Sequence, residues 1–345
     1  MSITKVKTIF KKITSKEEWD KVLTYFPNYD CYHTYDYHII GKKDEELPIL
    51  LYFESQNIQI ALPLLKRFIP ETEYFDLTSV YGYAGPILNG TIKPKVLAIF
   101  QKELMLYCKK ESIISIFSRL NPYINGQVEC LRDLGEIMKI GDIVNVNLNK
   151  SLEDQRLDYS ATTKRYVNKA RKLCTIKKSN SKDDILIFKD LYHENMSRVN
   201  ANDYYFFSEK YFFDILKSKN FETQVIYAIL NETSEIISGA ITIKTNNVTH
   251  YHLSGTSTKY LKINPLRLLL DEIRVSSTEE KQLYLNLGGG LGAKNDALFS
   301  FKSSFSKESK EFKVWKFIAN QDVYKSLIFD KDLDTSFFPA YRKTN

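Results

Sequence analysis

The stretches "TQVIYAIL" (Thr223–Leu230), "IISGAITIK" (Ile236–Lys244), "VTHYHLS" (Val248–Ser254), "NPLRLLLDEIRVSST" (Asn264–Thr278) and "QLYLNL" (Gln282–Leu287) follow one another with little between them. The first three are rich in β-branched and aromatic residues, and only the polar turns "NETSE" and "TNN" separate them. That pattern predicts a three-strand meander. In the fourth, Asn264 stands as a cap with Pro265 in the first turn, which predicts a helix. The fifth is an apolar strand, expected to return parallel to the end of the meander.

The first half of the chain shows the same order with little shared sequence. "ILLYFE" (Ile49–Glu54), "IQIALPLLK" (Ile58–Lys66) and "YFDLTS" (Tyr74–Ser79) are three strands, Lys93–Lys110 is a helix with Pro94 in its first turn, and "SIISIFS" (Ser112–Ser118) is a buried strand. Capped amphipathic helices start at Ser15, Ser181 and Ser208, and "MSITKVKTIFKKIT" reads as a first strand. Two copies of one α/β unit are therefore expected, at 1–150 and 151–345, each a mixed, mostly antiparallel sheet flanked by helices. A chain of 345 residues is long enough for two domains.

Composition narrows the class. Apolar residues make up 43% and charged residues 26%, and no run approaches the ~18 apolar residues of a membrane span, so an integral membrane protein is not expected. The four cysteines are widely spaced without a CxxC pair, which fits buried thiols in a reducing cytoplasm. A net charge of +7 suits an anionic small substrate or a transient RNA contact better than a stable nucleic-acid complex.

The last strand runs into "YLNLGGGLGAKNDALFSFKSSFSK" (Tyr284–Lys307), which has the look of a phosphate grip. Gly288, Gly290 and Ala293 satisfy G-x-G-x-x-G/A, but the long helix of a dinucleotide site is missing because "KEFKVWKFI" soon reads as another strand. In a Walker A loop a lysine directly follows the last glycine, whereas here Ala293 intervenes before Lys294. Four glycines in five positions imply positive φ at a strand end and a substrate lying against bare backbone, with Gly289 and Gly290 as the contact points.

Metal chemistry finds no pattern. "HENMSRV" from His193 lacks the second histidine of H-E-x-x-H, and His250 and His252, on one face of a strand by alternation, have no third ligand at recognisable spacing. His252 is retained as a candidate for substrate contact.

Several stretches together resemble the FemABX-like branch of the GNAT acyltransferase superfamily: "SVYGYAGPIL" (Ser79–Leu88), "FSRLNPYIN" (Phe117–Asn125), "YSATTKRYVNKARK" (Tyr159–Lys172), "HENMSRVNANDYYFFSEKYF" (His193–Phe212), "YHLSGTS" (Tyr251–Ser257) and the glycine stretch. The resemblance implies two GNAT-like domains with the acceptor in the cleft they form. It also implies transfer of an acyl or aminoacyl group onto an amine, on an anionic or lipid-linked precursor of the cell envelope or a polysaccharide.

Such transfer passes through an oxyanion, so the site must orient two substrates, accept a proton and donate to developing negative charge. Lys302 matches the family's lysine after the glycine turn and is assigned to the oxyanion or the acceptor's anionic group. Asp296 is either a helix cap or the proton acceptor. The resemblance places Tyr81 and Tyr83 on the acceptor, and Arg165 and Lys169 of the basic helix on a phosphorylated or carboxylated substrate. Arg198 and Tyr204 lie in a polar loop between helices, where sites often form.

For the donor, "TSTKYLKINP" (Thr256–Pro265) lacks the glycines of a pyrophosphate turn, leaving Lys259, Lys262 and the following helix N-terminus to hold an anion. The absence of heptads for a coiled-coil arm favours acyl-CoA, with aminoacyl-tRNA as the alternative. A non-catalytic module reading RNA or glycans through the basic helix is the reading of a different class.

Overall fold

The structure, a computed structural model, describes residues 8–329 and 337–343; the first seven residues of the expected opening strand lie outside them. By contacts the chain divides into two units, 1–140 with 312–345, and 141–311. The division expected at residue 150 follows the chain in one pass. In the structure the chain crosses over at 140/141 and returns at 311/312, so the second sequence half does not stay together.

The first unit opens with β1 (Thr8–Ile13), α1 (Lys16–Leu23) and α2 (Tyr35–Gly41). Ser15 caps α1 by accepting from the Glu18 amide, and Trp19, Val22 and Leu23 form its buried face. The meander β2 (Leu47–Ser55), β3 (Ile58–Phe68) and β4 (Phe75–Thr78) follows, with β5 (Ile87–Asn89) paired to β3. Helix α3 (Pro94–Lys110) buries Val96, Phe100 and Leu104, β6 (Ile113–Arg119) then lies parallel to β4, and α4 (Gln127–Cys130) is short.

The second unit repeats that order. After β7 (Glu136–Asn147) come α5 (Leu152–Leu157), α6 (Ala161–Leu173), β8 (Cys174–Lys178), α7 (Lys182–Arg198) and α8 (Glu209–Lys217). The meander is β9 (Glu222–Leu230), β10 (Glu235–Thr245) and β11 (Val248–Thr256); α9 (Pro265–Glu279) leads to β12 (Tyr284–Gly288), parallel to β11, and then α10 (Ala297–Ser303). Leu268, Leu269 and Ile273 of α9 pack on Ile226 and Ala228 of β9. Asn264 precedes α9 in the left-handed region (φ 58°), without the side-chain cap expected of it.

The last strand, β13 (Glu308–Ile318), carries the chain back, and α11 (Gln321–Ile328) follows. Strand order is β1-β2-β3-β4-β6-β13 in the first unit and β7-β12-β11-β10-β9-β8 in the second. Each unit therefore takes as its sixth strand the one that follows the other unit's parallel strand in sequence. Trp315 of β13 is fully buried in the first unit's core, its indole N–H donating to the Leu134 carbonyl. Both sheets are mixed and mostly antiparallel with flanking helices, as the sequence predicts.

Candidate functional site

In the second unit one parallel ladder ends early. Strands β11 and β12 pair only from Val248–His250 to Tyr284–Asn286, although β11 continues to Thr256. At the last pair the Asn286 side-chain amide and His250 Nδ1 are 3.1 Å apart. Two residues on, the register of β11 against β10 shifts by one at His252, a β-bulge. Bulges re-aim side chains and end regular pairing beside sites. Past His250 the edge of β11 is no longer laddered to β12, and β12 turns away through the glycines.

Gly288 turns the chain at φ +77°. At Gly290 a Cβ would meet the Lys294 carbonyl at 2.0 Å and an Asp296 carboxylate oxygen at 2.4 Å. The side on which a Cβ would stand is filled by the loop folding onto itself, so glycine is needed for the turn's own closure. Gly289 contributes its carbonyl, which accepts from Lys302 Nζ at 2.7 Å.

Lys302 sits near the end of α10, is only 9% exposed, and lies with Nζ 6.0 Å from the centroid of the Tyr251 ring. Among the described residues no carboxylate pairs with it. Burial pulls its ammonium down to about 8, with distant help for the charged form from Asp296. An ammonium fixed by one carbonyl keeps further N–H bonds to give, which suits it to a developing oxyanion.

Asp296 is the N-cap of α10. One oxygen accepts from the Phe299 amide and the other from the Leu291 amide, both at 2.9 Å, and these donors hold its carboxyl below the usual range. Both oxygens serve the turn, and a stabilised carboxylate is a weak base.

His252 Nε2 lies 2.6 Å from the Tyr211 hydroxyl of α8, and Tyr211 stacks on Phe207 at 4.2 Å. Burial, then the neighbouring His250, lowers the imidazole to about 3, so it is neutral at physiological pH. Tyr251 bonds Ser254, and burial pushes its phenol up to about 12. Tyr251, Ser254, Tyr211 and Asn286 escaped the sequence reading; the available signal was a tyrosine between two histidines on a strand that must part from its neighbour.

The other predicted residues of this unit make contacts of their own. Arg198 donates to the Thr256 carbonyl and the Thr258 hydroxyl, both at 3.1 Å, and bonds Asn195, while Glu194 accepts from the Thr258 amide at 2.8 Å. Arg198 thus ties α7 to the loop after β11. Tyr204 is exposed and edges onto Tyr205. Lys259 leans over Tyr260 (4.7 Å) and toward Glu235 (3.7 Å), and Lys262 is exposed. On α6, Arg165 lies 5.1 Å from the Tyr166 ring, and Lys169 is exposed.

In the first unit, Tyr81 is exposed with the Arg119 guanidinium 5.7 Å from its ring, and Tyr83 packs edge-on between Tyr32 and Phe312. Their loop is held from beneath: Asn121 donates to the Tyr83 carbonyl and to Asp30, and Gln127 donates to the carbonyls of Ala84 and Pro86.

No family model matches the chain, and no curated protein matches its sequence. Among solved structures, FemX superposes with a TM-score of 0.71 at 13% identity, over 92% of this chain and 99% of FemX. The chain has a FemABX-like, GNAT-related fold. L-PGS from Bacillus licheniformis matches with a TM-score of 0.56 at 12% identity, over 88% of this chain and 91% of that one. The C-terminal domain of a protein described as a lysylphosphatidylglycerol synthetase from Agrobacterium fabrum also scores 0.56, at 13% identity over 90% and 94%. Identities this low carry the FemX-like fold alone. Among the described residues no helix is long and apolar enough to cross a membrane.

Proposed function

We propose that the chain transfers an acyl or aminoacyl group from an activated ester or thioester to an amine on a cell-envelope or polysaccharide precursor. The observation that carries the reading is the buried Lys302 ammonium, which among the described residues has no carboxylate partner, beside the point where β11 and β12 part. The donor's carbonyl enters at that opening, and the neutral amine attacks it. As the carbonyl oxygen gains charge, Lys302 donates to it, its position fixed by the Gly289 carbonyl. Collapse of the tetrahedral intermediate breaks the bond to the leaving oxygen or sulfur, which departs as the alcohol or thiol carrying the proton that the amine gives up.

For the donor, the loop after β11 favours aminoacyl-tRNA over acyl-CoA. A pyrophosphate would need the amides of that loop, yet the Thr258 amide already serves Glu194, and Arg198 is spent on Thr256 and Thr258. Acyl-CoA, the donor favoured by the sequence, remains the second reading through Lys259, Lys262 and the N-terminus of α9. The test incubates purified protein with labelled acetyl-CoA or charged tRNA and amine acceptors, including nucleotide- and lipid-linked amino sugars. Transfer that disappears in Lys302→Met supports the proposal; transfer from neither donor overturns it.

A further inference from the structure

Helix α3 of the first unit carries two apolar stripes. One, made by Val96, Phe100, Leu104 and Tyr107, is buried in that unit's core. The other lies on the outward side. Lys95, Lys102 and Lys109 recur there every seven residues, and the pairs Ala98–Ile99 and Met105–Leu106 fill the positions three and four after Lys95 and Lys102. That spacing puts them all along one face. Met105 is 41% and Leu106 51% exposed, the three lysines are exposed, and among the described residues no carboxylate pairs with any of them. The acids of the segment do not offset the charge: Glu103 is one residue off the stripe, and Glu111 is engaged by Lys12 and Lys66.

A groove of about 480 Å³ lies beside this stripe. Tyr74, Ile113, Ile114 and Ala319 line it together with Met105 and Leu106, and Lys102 and Lys109 are the two charged residues of its wall. The carboxylates next along the chain, Glu73 and Asp322, do not line it. The groove sits at the starts of β4 and β6, whereas Tyr81 and Tyr83 follow the end of β4, so it is at the opposite end of that sheet from the loop read as an acceptor contact. Single exposed apolar side chains are ordinary; two adjacent ones, set among unpaired cations and beside an apolar groove, mark a contact surface.

We propose that the outward face of α3 docks the first unit on an anionic membrane surface. Met105 and Leu106 enter the boundary between headgroups and acyl chains, and Lys95, Lys102 and Lys109 reach lipid phosphates while their methylene stems lie along the apolar surface. Charge selects this occupant: a stripe of unpaired cations fits a field of phosphates. A second copy of the chain would set one lysine stripe against another, which disfavours self-pairing. The attachment is peripheral and needs no spanning helix. It does not rest on the transferase reading.

The test is co-sedimentation of the full chain with vesicles, either phosphatidylglycerol mixed into phosphatidylcholine or phosphatidylcholine alone, read as affinity against lipid concentration. Wild type is compared with Lys102→Gln/Lys109→Gln, with Leu106→Gln and with the charge-matched control Lys21→Gln/Lys219→Gln, each first shown by thermal melt to fold. Lys21 and Lys219 are exposed, on α1 and after α8. Each lysine near an anionic surface is worth about fivefold in affinity, so the α3 double variant is expected to bind roughly 25-fold more weakly and the control within about twofold of wild type. Leu106→Gln should bind several-fold more weakly, and wild-type binding should fall as salt rises. Wild type that stays in the supernatant with the anionic vesicles overturns the proposal. So does equal binding to both kinds of vesicle, or a control as weak as the α3 double variant. A wild-type dimer in light scattering that Leu106→Gln dissolves gives the face to a second copy and also overturns it. No arm involves turnover, so this proposal and the transferase reading fail independently.

Discussion

Replacing Lys302 by methionine keeps the side chain's length and apolar stem while removing the charge that burial makes costly. The folded ammonium titrates near 8 against 10.5 for an unperturbed lysine, a difference of about 3 kcal/mol. The sign follows from proton counting: between pH 8 and 10.5 the unfolded chain binds the proton and the folded chain does not, so Lys302 makes stability rise with pH across that window. Catalysis runs the other way, since only the ammonium donates to the oxyanion, and kcat falls as pH passes 8. Denaturant unfolding at pH 7.5 and 10, compared between wild type and Lys302→Met, should show an increment of up to about 3 kcal/mol in the wild type alone. Initial rates at saturating substrate should fall about 10²- to 10³-fold in the variant at pH 7, with KM little changed. A variant within threefold of wild-type turnover, or a wild-type rate that climbs through pH 9, would refute the oxyanion role.

Gly290→Ala forces a methyl into the Lys294 carbonyl and the Asp296 carboxylate; a loss of about 1–3 kcal/mol in chemical denaturation, together with lost turnover, is expected. Asp296→Ala should cost about 1 kcal/mol as a lost cap, and Asp296→Asn should restore both stability and rate; an inactive but stable Asn variant would instead make Asp296 the base. Tyr211→Phe removes the bond to His252 and should cost about 1 kcal/mol, seen as a lower midpoint in chemical denaturation. Asp76, fully buried, accepts from both Arg67 and Arg342, so Asp76→Asn should cost about 3 kcal/mol, seen as a lower denaturation midpoint.

Much of the fold was legible because its signals are local. The meanders, the Pro94 and Pro265 helix starts and the serine caps are decided within a few residues, and they appear where the sequence puts them. The division into units was not legible, because the pairing of β13 with β6 joins Val314–Ile318 to Ser115–Arg119, a separation no local pattern encodes. At the site, the turn was read from its glycines and Lys302 was put forward from the family resemblance. The partners of Arg198 were not, since Thr256 and Thr258 are distant in sequence and become neighbours only when α7 packs on β11. The bulge at His252 was hidden for a similar reason: strand alternation is a rule about regular pairing, and this strand breaks it.

The exchange of β7 and β13 also orders events during synthesis. Residues 141–311 are contiguous, so the second unit has all its strands once Glu311 has emerged. The first unit, though begun earlier, must wait with Trp315's place in its core unfilled and the edge of β6 unpaired until residues 312–318 arrive. Domains commonly fold in the order they are made; here the earlier unit finishes last. Cutting the chain after β12 or α10 therefore leaves the N-terminal unit as the incomplete one, with an exposed strand edge open to pairing with another chain.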